Sequence, residues 1–253
     1  MKWRGWLVVL LLVPAWELLR RGAAVSPQLM PPIAEILGAL VDGVVAGSLP
    51  AQVATSLFYI VLGMAAAVAA ALLTVVLTAI SPVLDEAFSN LGALLHPLPG
   101  IVLLPVIVLW AGIGPAAVLV VIFHSVYWPV LTNLHAGYRS IPGTWRMVAN
   151  NFGVRGGRFV LEVALPGMTP YLLAGVRIAW ARAWRALISA EILFGAVAGA
   201  GGLGWYIHSR RVFMDTSGLF AGIIVIMAVG SIVESVVFRV LETATVRRWG
   251  MST

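Results

Sequence analysis

VANNFGVRGGRFVLEVALPGMTPYLLAGVRIAWARAW, residues 148–184, decides how this chain is read. A basic, glycine-punctuated stretch passes through Leu165, Pro166 and Gly167 into a long apolar helix. Residues 149–152 can make a short helix, which Gly153 would end in a left-handed conformation open to glycine. Gly156 and Gly157 bend the chain again before the amphipathic run RFVLEVALP, and Pro166 and Pro170 mark a turn. Helix, turn, helix, membrane span: the pattern predicts a rigid lever standing outside the hydrocarbon. The polar connector, residues 136–170, holds four arginines and one acid, Glu162. A merely solvated connector is the bland alternative.

Composition supplies the membrane. Of 253 residues, 61% are hydrophobic and 10% charged, against about 45–50% and about 25% in soluble domains. One globular core cannot hide that much apolar surface. Each span needs about 20 apolar residues; six apolar segments emerge, residues 6–19, 53–80, 88–110, 115–134, 171–194 and 219–240, of which the second, fourth and sixth are unambiguous by length. The expected fold is an all-α polytopic membrane protein, one domain over residues 1–253, with six transmembrane helices and the connector between the fourth and fifth.

Residues 1–21 also fit a signal peptide, with Lys2 and Arg4 before a short apolar core. Pro14 and Glu17 interrupt that core, and Trp3, Trp6 and Trp16 suit an interfacial anchor, so a first span fits better. In the third segment His96, Pro97, Pro99 and Pro105 predict a broken or kinked helix. Backbone freed at membrane depth must be buried in protein or line a cavity, which makes this span a candidate pathway wall. The second segment, with GMAAAVAAALL, invites close backbone approach. Residues 27–50 read as a short amphipathic outer helix with Glu35 and Asp42 on its wet side. Residues 195–218 read as a glycine-rich outer loop.

An inside N-terminus puts Lys2, Arg4, Arg139, Arg146, Arg155, Arg158, Arg247 and Arg248 in cytoplasmic segments. Arg20, Arg21, Arg210 and Arg211 are then outside, a bias that favours this orientation.

Several function classes are excluded. The net charge of +6 has no basic run behind it, so nucleic acid is not expected as a partner. Cysteine is absent, which removes disulfides and thiolate chemistry. Lys2 is the only lysine and no G-x-x-x-x-G-K-[ST] occurs, so any driving nucleotide must bind another polypeptide. Gly199, Gly201 and Gly204 spell G-x-G-x-x-G, but no strand, crossover helix or ribose-binding acid accompanies them. Gly195 and Gly199 give only a weak G-x-x-x-G packing signal. His96, His124, His135 and His208 lack metal-ligand spacing. No nucleophile–base arrangement is found, and no enzyme activity is expected.

Arg182 and Arg185 are the anomaly of the fifth span. Three residues apart, they share one face of a helix. An arginine at the bilayer centre costs at least about 2.5–3.5 kcal/mol, so both should face the bundle interior or a water-filled cavity. With Glu191 and Pro99 they form the candidate translocation pathway. The alternative is a structural ion pair with Glu191 or Glu234. Arg177 reads as an interfacial anchor.

The spacing A-x-x-x-G followed by L-P-G resembles the EAA loop of ATP-binding-cassette importer permeases. WELLRR, LMPPIAEILGAL, LPGIVLLPVIVLWAGIGP, NLHAGYRSIP and ISAEILFGAVAGAGGLGWYI look like the nitrate/sulfonate/taurine/bicarbonate permease family. The resemblance implies a type I importer permease, non-catalytic, in a bacterial inner membrane with both termini cytoplasmic. It implies two ATPase subunits that carry ATP and Mg, a second permease copy as a homodimer, an extracytoplasmic solute-binding protein, and no cofactor on this chain. Met147, Val148, Ala149, Gly153, Pro166 and Gly167 would form the ATPase-coupling loop. The family's loop opens with Glu-Ala-Ala, whereas Met147, Val148 and Ala149 stand here, which removes a charged contact or helix cap. The implied solute is a small oxyanion such as a sulfonate, taurine, nitrate or bicarbonate, with a neutral or cationic vitamin-like solute as the alternative. A stand-alone secondary carrier would need inverted repeats or charges in several spans, and neither is visible.

Overall fold

In lipid a backbone can satisfy its polar groups only within itself, which for apolar runs of this length means helix. The computed structural model of the chain describes residues 3–22, 26, 28–195 and 201–247, and no strand forms among them. Helices α1 (Trp3–Gly22), α2 (Ile33–Val45) and α3 (Ser48–Ile80) come first, followed by α4 (Pro82–Leu95) and α5 (Gly100–Ala111). Next are α6 (Pro115–Arg139), α7 (Gly143–Asn151), α8 (Gly156–Phe159) and α9 (Leu165–Gly167), the last two joined by a π-helical turn at Val160–Ala164. The remainder is α10 (Thr169–Phe194), α11 (Leu203–Val212), α12 (Thr216–Ile232) and α13 (Phe238–Glu242).

Three helical stretches are long and apolar enough to cross a membrane: Ser48–Ile80, Pro115–Arg139 and Thr216–Thr245. Two bent pairs, Pro82–Leu95 with Gly100–Ala111 and Gly156–Gly167 with Thr169–Phe194, raise the number to five. α1 is not among them, because Glu17, Arg20 and Arg21 crowd its C-terminal part. It docks through Trp16, whose Nε1 donates to the Pro31 carbonyl at 3.0 Å and whose ring meets Phe220 edge-on at 5.0 Å.

α6 is the axis of the bundle, packed along α3 and α10. Between helices in lipid the attraction is close packing rather than the hydrophobic effect, so small residues mark the seams. A Cβ on Gly175 of α10 would lie 2.9 Å from Asn133 Cβ and 3.2 Å from Val130 Cα of α6. On α3 the alanine-rich face buries Ala67 and Ala71 completely. Two polar clasps cross the same seam, Thr74 to Tyr127 at 2.9 Å and Thr78 to His135 at 3.1 Å.

The expected third span is broken rather than merely kinked. α4 and α5 meet at 99°, because Pro97 and Pro99 withhold two backbone donors in succession. Pro105 is carried inside α5. α2 is the expected amphipathic element, with Ile36 and Gly43 buried and Glu35 and Asp42 exposed. Two readings need correction. α6 runs on to Arg139, so the first residues of the 136–170 connector belong to the span. The outer segment 195–218 is not simply loop, since α11 folds inward and buries Leu203, Gly204, Tyr206 and Ile207. Lys2, Arg248 and Gly199, and with Gly199 both glycine patterns, lie outside the described residues.

Candidate functional site

The connector makes a stiff surface. α7 ends at Asn151, and just beyond it Gly153 has a φ of 74°. Its N–H bonds to the Asn150 carbonyl at 3.1 Å, and that of Val154 to the Ala149 carbonyl at 2.9 Å. These paired bonds form a Schellman cap, which requires the left-handed residue that glycine supplies without strain. Ala149 faces inward and is buried, while Met147 and Val148 point outward. Phe152 is 81% exposed. Trp145, Val148, Phe152 and Val163 border an apolar groove of about 360 Å³.

Behind this surface, Phe159, Val160, Ala164 and Met168 are buried and seat the connector on the bundle. Gly167 lets it sit close, since a Cβ there would be 2.9 Å from the Trp145 ring. Pro166 is exposed on α9, and its missing N–H explains why the turn before it relaxes to π geometry. The Arg146 guanidinium stacks over Tyr138 at 4.8 Å, and Arg158 pairs with Glu162 at 2.7 Å. Arg139 reaches Asp85 at 3.2 Å, tying the end of α6 to the start of α4.

The second feature is a cavity of about 390 Å³ where α4 breaks from α5. Pro99, Arg182 and Arg185 all line it, together with His96, His124 and Ser125. Arg182 donates to His96 Nε2 at 3.2 Å. Arg185 is exposed and has no hydrogen-bond or ion-pair partner among the described residues. Both ring nitrogens of His124 are buried without a partner. α5 opens onto this space with no side-chain cap.

Glu191 is elsewhere. It is fully buried and accepts from the backbone N–H groups of Gly202 at 2.8 Å and Gly204 at 3.0 Å. Ser56 Oγ of α3 accepts from Leu203 N–H at 2.9 Å. Together they anchor the N-terminus of α11, whose orphan donors and positive dipole end suit a carboxylate. A Cβ on Gly202 would be 2.7 Å from the Glu191 carboxylate, so only glycine fits. Glu191 therefore does not line the cavity and does not pair with Arg182 or Arg185. Glu234 pairs instead with Arg177 at 3.6 Å, with both side chains half exposed.

The loop surface, the central helix and the last span all fall within residues 60–247, which match the family model of binding-protein-dependent transport system inner membrane components. The chain belongs to this family. Members with similar sequence include the taurine transport system permease protein of Escherichia coli, 29% identical over 91% of this chain and 83% of its own. The nitrate import permease protein of Leptolyngbya laminosa is 27% identical over 89% of this chain and 81% of its own. The bicarbonate transport system permease protein of Synechococcus elongatus is 33% identical over 53% of this chain and 45% of its own. As an inner-membrane component with several apolar helices, the chain is a multi-pass membrane protein.

His124 entered the sequence reading only as a histidine too scattered for a metal, and His96 only as that and as part of the proline-broken third segment. The overlooked signal for His124 was the polar pair it makes with Ser125 inside an apolar run, beside a proline-broken neighbour.

Proposed function

We propose that this chain is the permease subunit of an ATP-driven importer, crossing the membrane six times with both termini cytoplasmic. The spans are α1, α3, the α4–α5 pair, α6, α10 and the stretch from α12 through α13. Two copies would form the pathway about a two-fold axis. Two ATPase subunits would supply ATP and Mg on the cytoplasmic side, and a binding protein would deliver solute outside. The relatives' names point to a small oxyanion, of the kind represented by taurine, nitrate or bicarbonate.

The observation that carries this reading is the loop surface. Phe152 and Val148 are large apolar side chains held rigidly out over a groove, on a lever seated in the bundle. An exposed apolar patch on a rigid scaffold marks a protein-docking site, and nothing among the described residues covers it. Nucleotide-driven closure of the ATPase pair would pull two such levers together and switch the cavity between sides.

The purified chain alone should hydrolyse no ATP, and adding the cognate ATPase should give turnover that the loaded binding protein stimulates. Gly153→Val tests the lever. A Cβ at Gly153 meets nothing within 4 Å, so the variant's penalty, roughly 1 kcal/mol or more, comes from the left-handed backbone alone. Stimulation should fall while membrane insertion stays intact. Unchanged stimulation would sink the lever, and ATP hydrolysis by the isolated chain would falsify the permease assignment.

A further inference from the structure

Among the described residues, the cavity at the α4–α5 break is lined by two arginines and no carboxylate. Arg185 lies about 16 residues into α10, roughly 24 Å along the helix at 1.5 Å per residue, well inside a hydrocarbon layer of about 30 Å. Neither Arg182 nor Arg185 has an acidic partner among the described residues. Glu191 is committed to the α11 backbone and Glu234 to Arg177. One nitrogen of Arg182 is engaged by His96, which leaves most of its five N–H donors unused. An uncompensated guanidinium pair at this depth is a standing demand for an anion.

Three further features face the same space. The first residues of α5, Gly100 and Ile101, line the cavity at an uncapped helix start, where free N–H groups and the helix dipole favour negative charge. His124 brings an imidazole whose two nitrogens are both unsatisfied. A buried polar group without a partner is destabilising until a ligand or water supplies one. The lining also has an apolar part, made of Pro97, Leu98, Pro99, Ile101 and Ala186. A volume of about 390 Å³ falls in the usual range for small-molecule sites, about 300–1,000 Å³.

We propose that this cavity is a selectivity site built into the permease itself, which holds an organic oxyanion. The oxyanion group sits between Arg185, Arg182 and the α5 N-terminus, and a short apolar body lies against Pro97, Leu98 and Ile101. A bare inorganic anion satisfies the charges but leaves the apolar wall against water. A neutral solute of the same shape satisfies the wall but leaves two arginines unpaired. The site rests on the importer reading for its place in a pathway, but its chemistry is testable without transport.

The test is equilibrium binding by calorimetry to the full chain assembled with its ATPase subunits in lipid nanodiscs, without binding protein. The probes are propanesulfonate, nitrate and propanol. Propanesulfonate should bind at least tenfold more tightly than nitrate, and propanol should not bind measurably. Arg185→Gln should weaken propanesulfonate binding tenfold or more, and Arg185→Lys should restore part of it. Ile101→Ser should reduce the preference over nitrate to less than threefold while nitrate binding persists.

If Arg185→Gln fails to assemble, Ser189→Phe, which fills the cavity mouth from an exposed position of α10, should abolish binding of both anions. Equal affinity for nitrate and propanesulfonate overturns the apolar half of the site. Binding unaffected by Arg185→Gln or Ser189→Phe, or no binding by wild type at millimolar probe, overturns the site altogether. ATP hydrolysis by the wild-type complex is measured separately. Its absence alongside intact propanesulfonate binding defeats the importer reading and leaves the cavity site standing.

Discussion

α6 and the last span invert the usual relation between hydropathy and burial. α6 has a mean hydropathy of 1.6, and 67% of its spanning stretch is buried inside the fold. The stretch Thr216–Thr245 has a mean hydropathy of 2.3, and 11% of it is buried. In water the more apolar helix would take the core. In lipid the solvent is itself apolar, so the more exposed helix can be the greasier one, while the central one carries polar atoms that its neighbours satisfy. Tyr127 and His135 of α6 find Thr74 and Thr78 of α3, and Asn133 returns its Nδ2 to the Pro129 carbonyl at 2.8 Å. Met227, Ile232 and Val236 of the last span are 61%, 56% and 53% exposed, an apolar surface that suits lipid.

This contrast sets an order of mutational effects. The largest belongs to Gly175→Leu, which pushes a side chain into the backbone of α6 at Val130. Overpacking a tight seam costs about 3 kcal/mol or more, and the variant should yield little monodisperse protein on size-exclusion chromatography. Leu134→Ala comes next. Leu134 is completely buried in α6, and such a cavity costs about 2–3 kcal/mol, read as a shifted midpoint in detergent-denaturant unfolding.

Glu191→Gln should be milder, about 1–2 kcal/mol, because an amide nitrogen replaces one oxygen that accepts from the α11 backbone. Proteolysis or amide exchange of residues 201–212 should report it first. Ile232→Ala on the last span should change the unfolding midpoint by no more than about 0.5 kcal/mol. Equal costs for Leu134→Ala and Ile232→Ala would break the comparison, since burial would then not separate the two helices.

The connector shows how far reading alone can go. Gly153 could be placed in a left-handed cap because short-range rules govern it: the helix before it, the residue's missing Cβ, and the bonds it closes. α7 itself begins at Gly143, earlier than the 149–152 turn the sequence suggested, since helix starts depend on what lies behind them. Trp145 packs against Gly167 of α9, a contact that local propensity does not contain. Pro97 and Pro99 announced a disturbance in the third span, but not a 99° break with a cavity in its corner.

Sequence by itself determined the solvent and the punctuation of this protein. Composition demanded lipid, apolar length set the spans, and proline and glycine fixed where the chain would turn. Arginine spacing put Arg182 and Arg185 on one face. Only the tertiary structure decided what each charge would meet. Glu191, fourteen residues along from Arg177 and nearer to Arg185, went to the backbone of a helix that the glycine-rich segment had concealed. Arg177 took Glu234, and Arg185, without a partner among the described residues, lines the same cavity as His124. Partnership between residues far apart in the chain depends on how helices pack and rotate against one another, which no periodicity along a single helix contains.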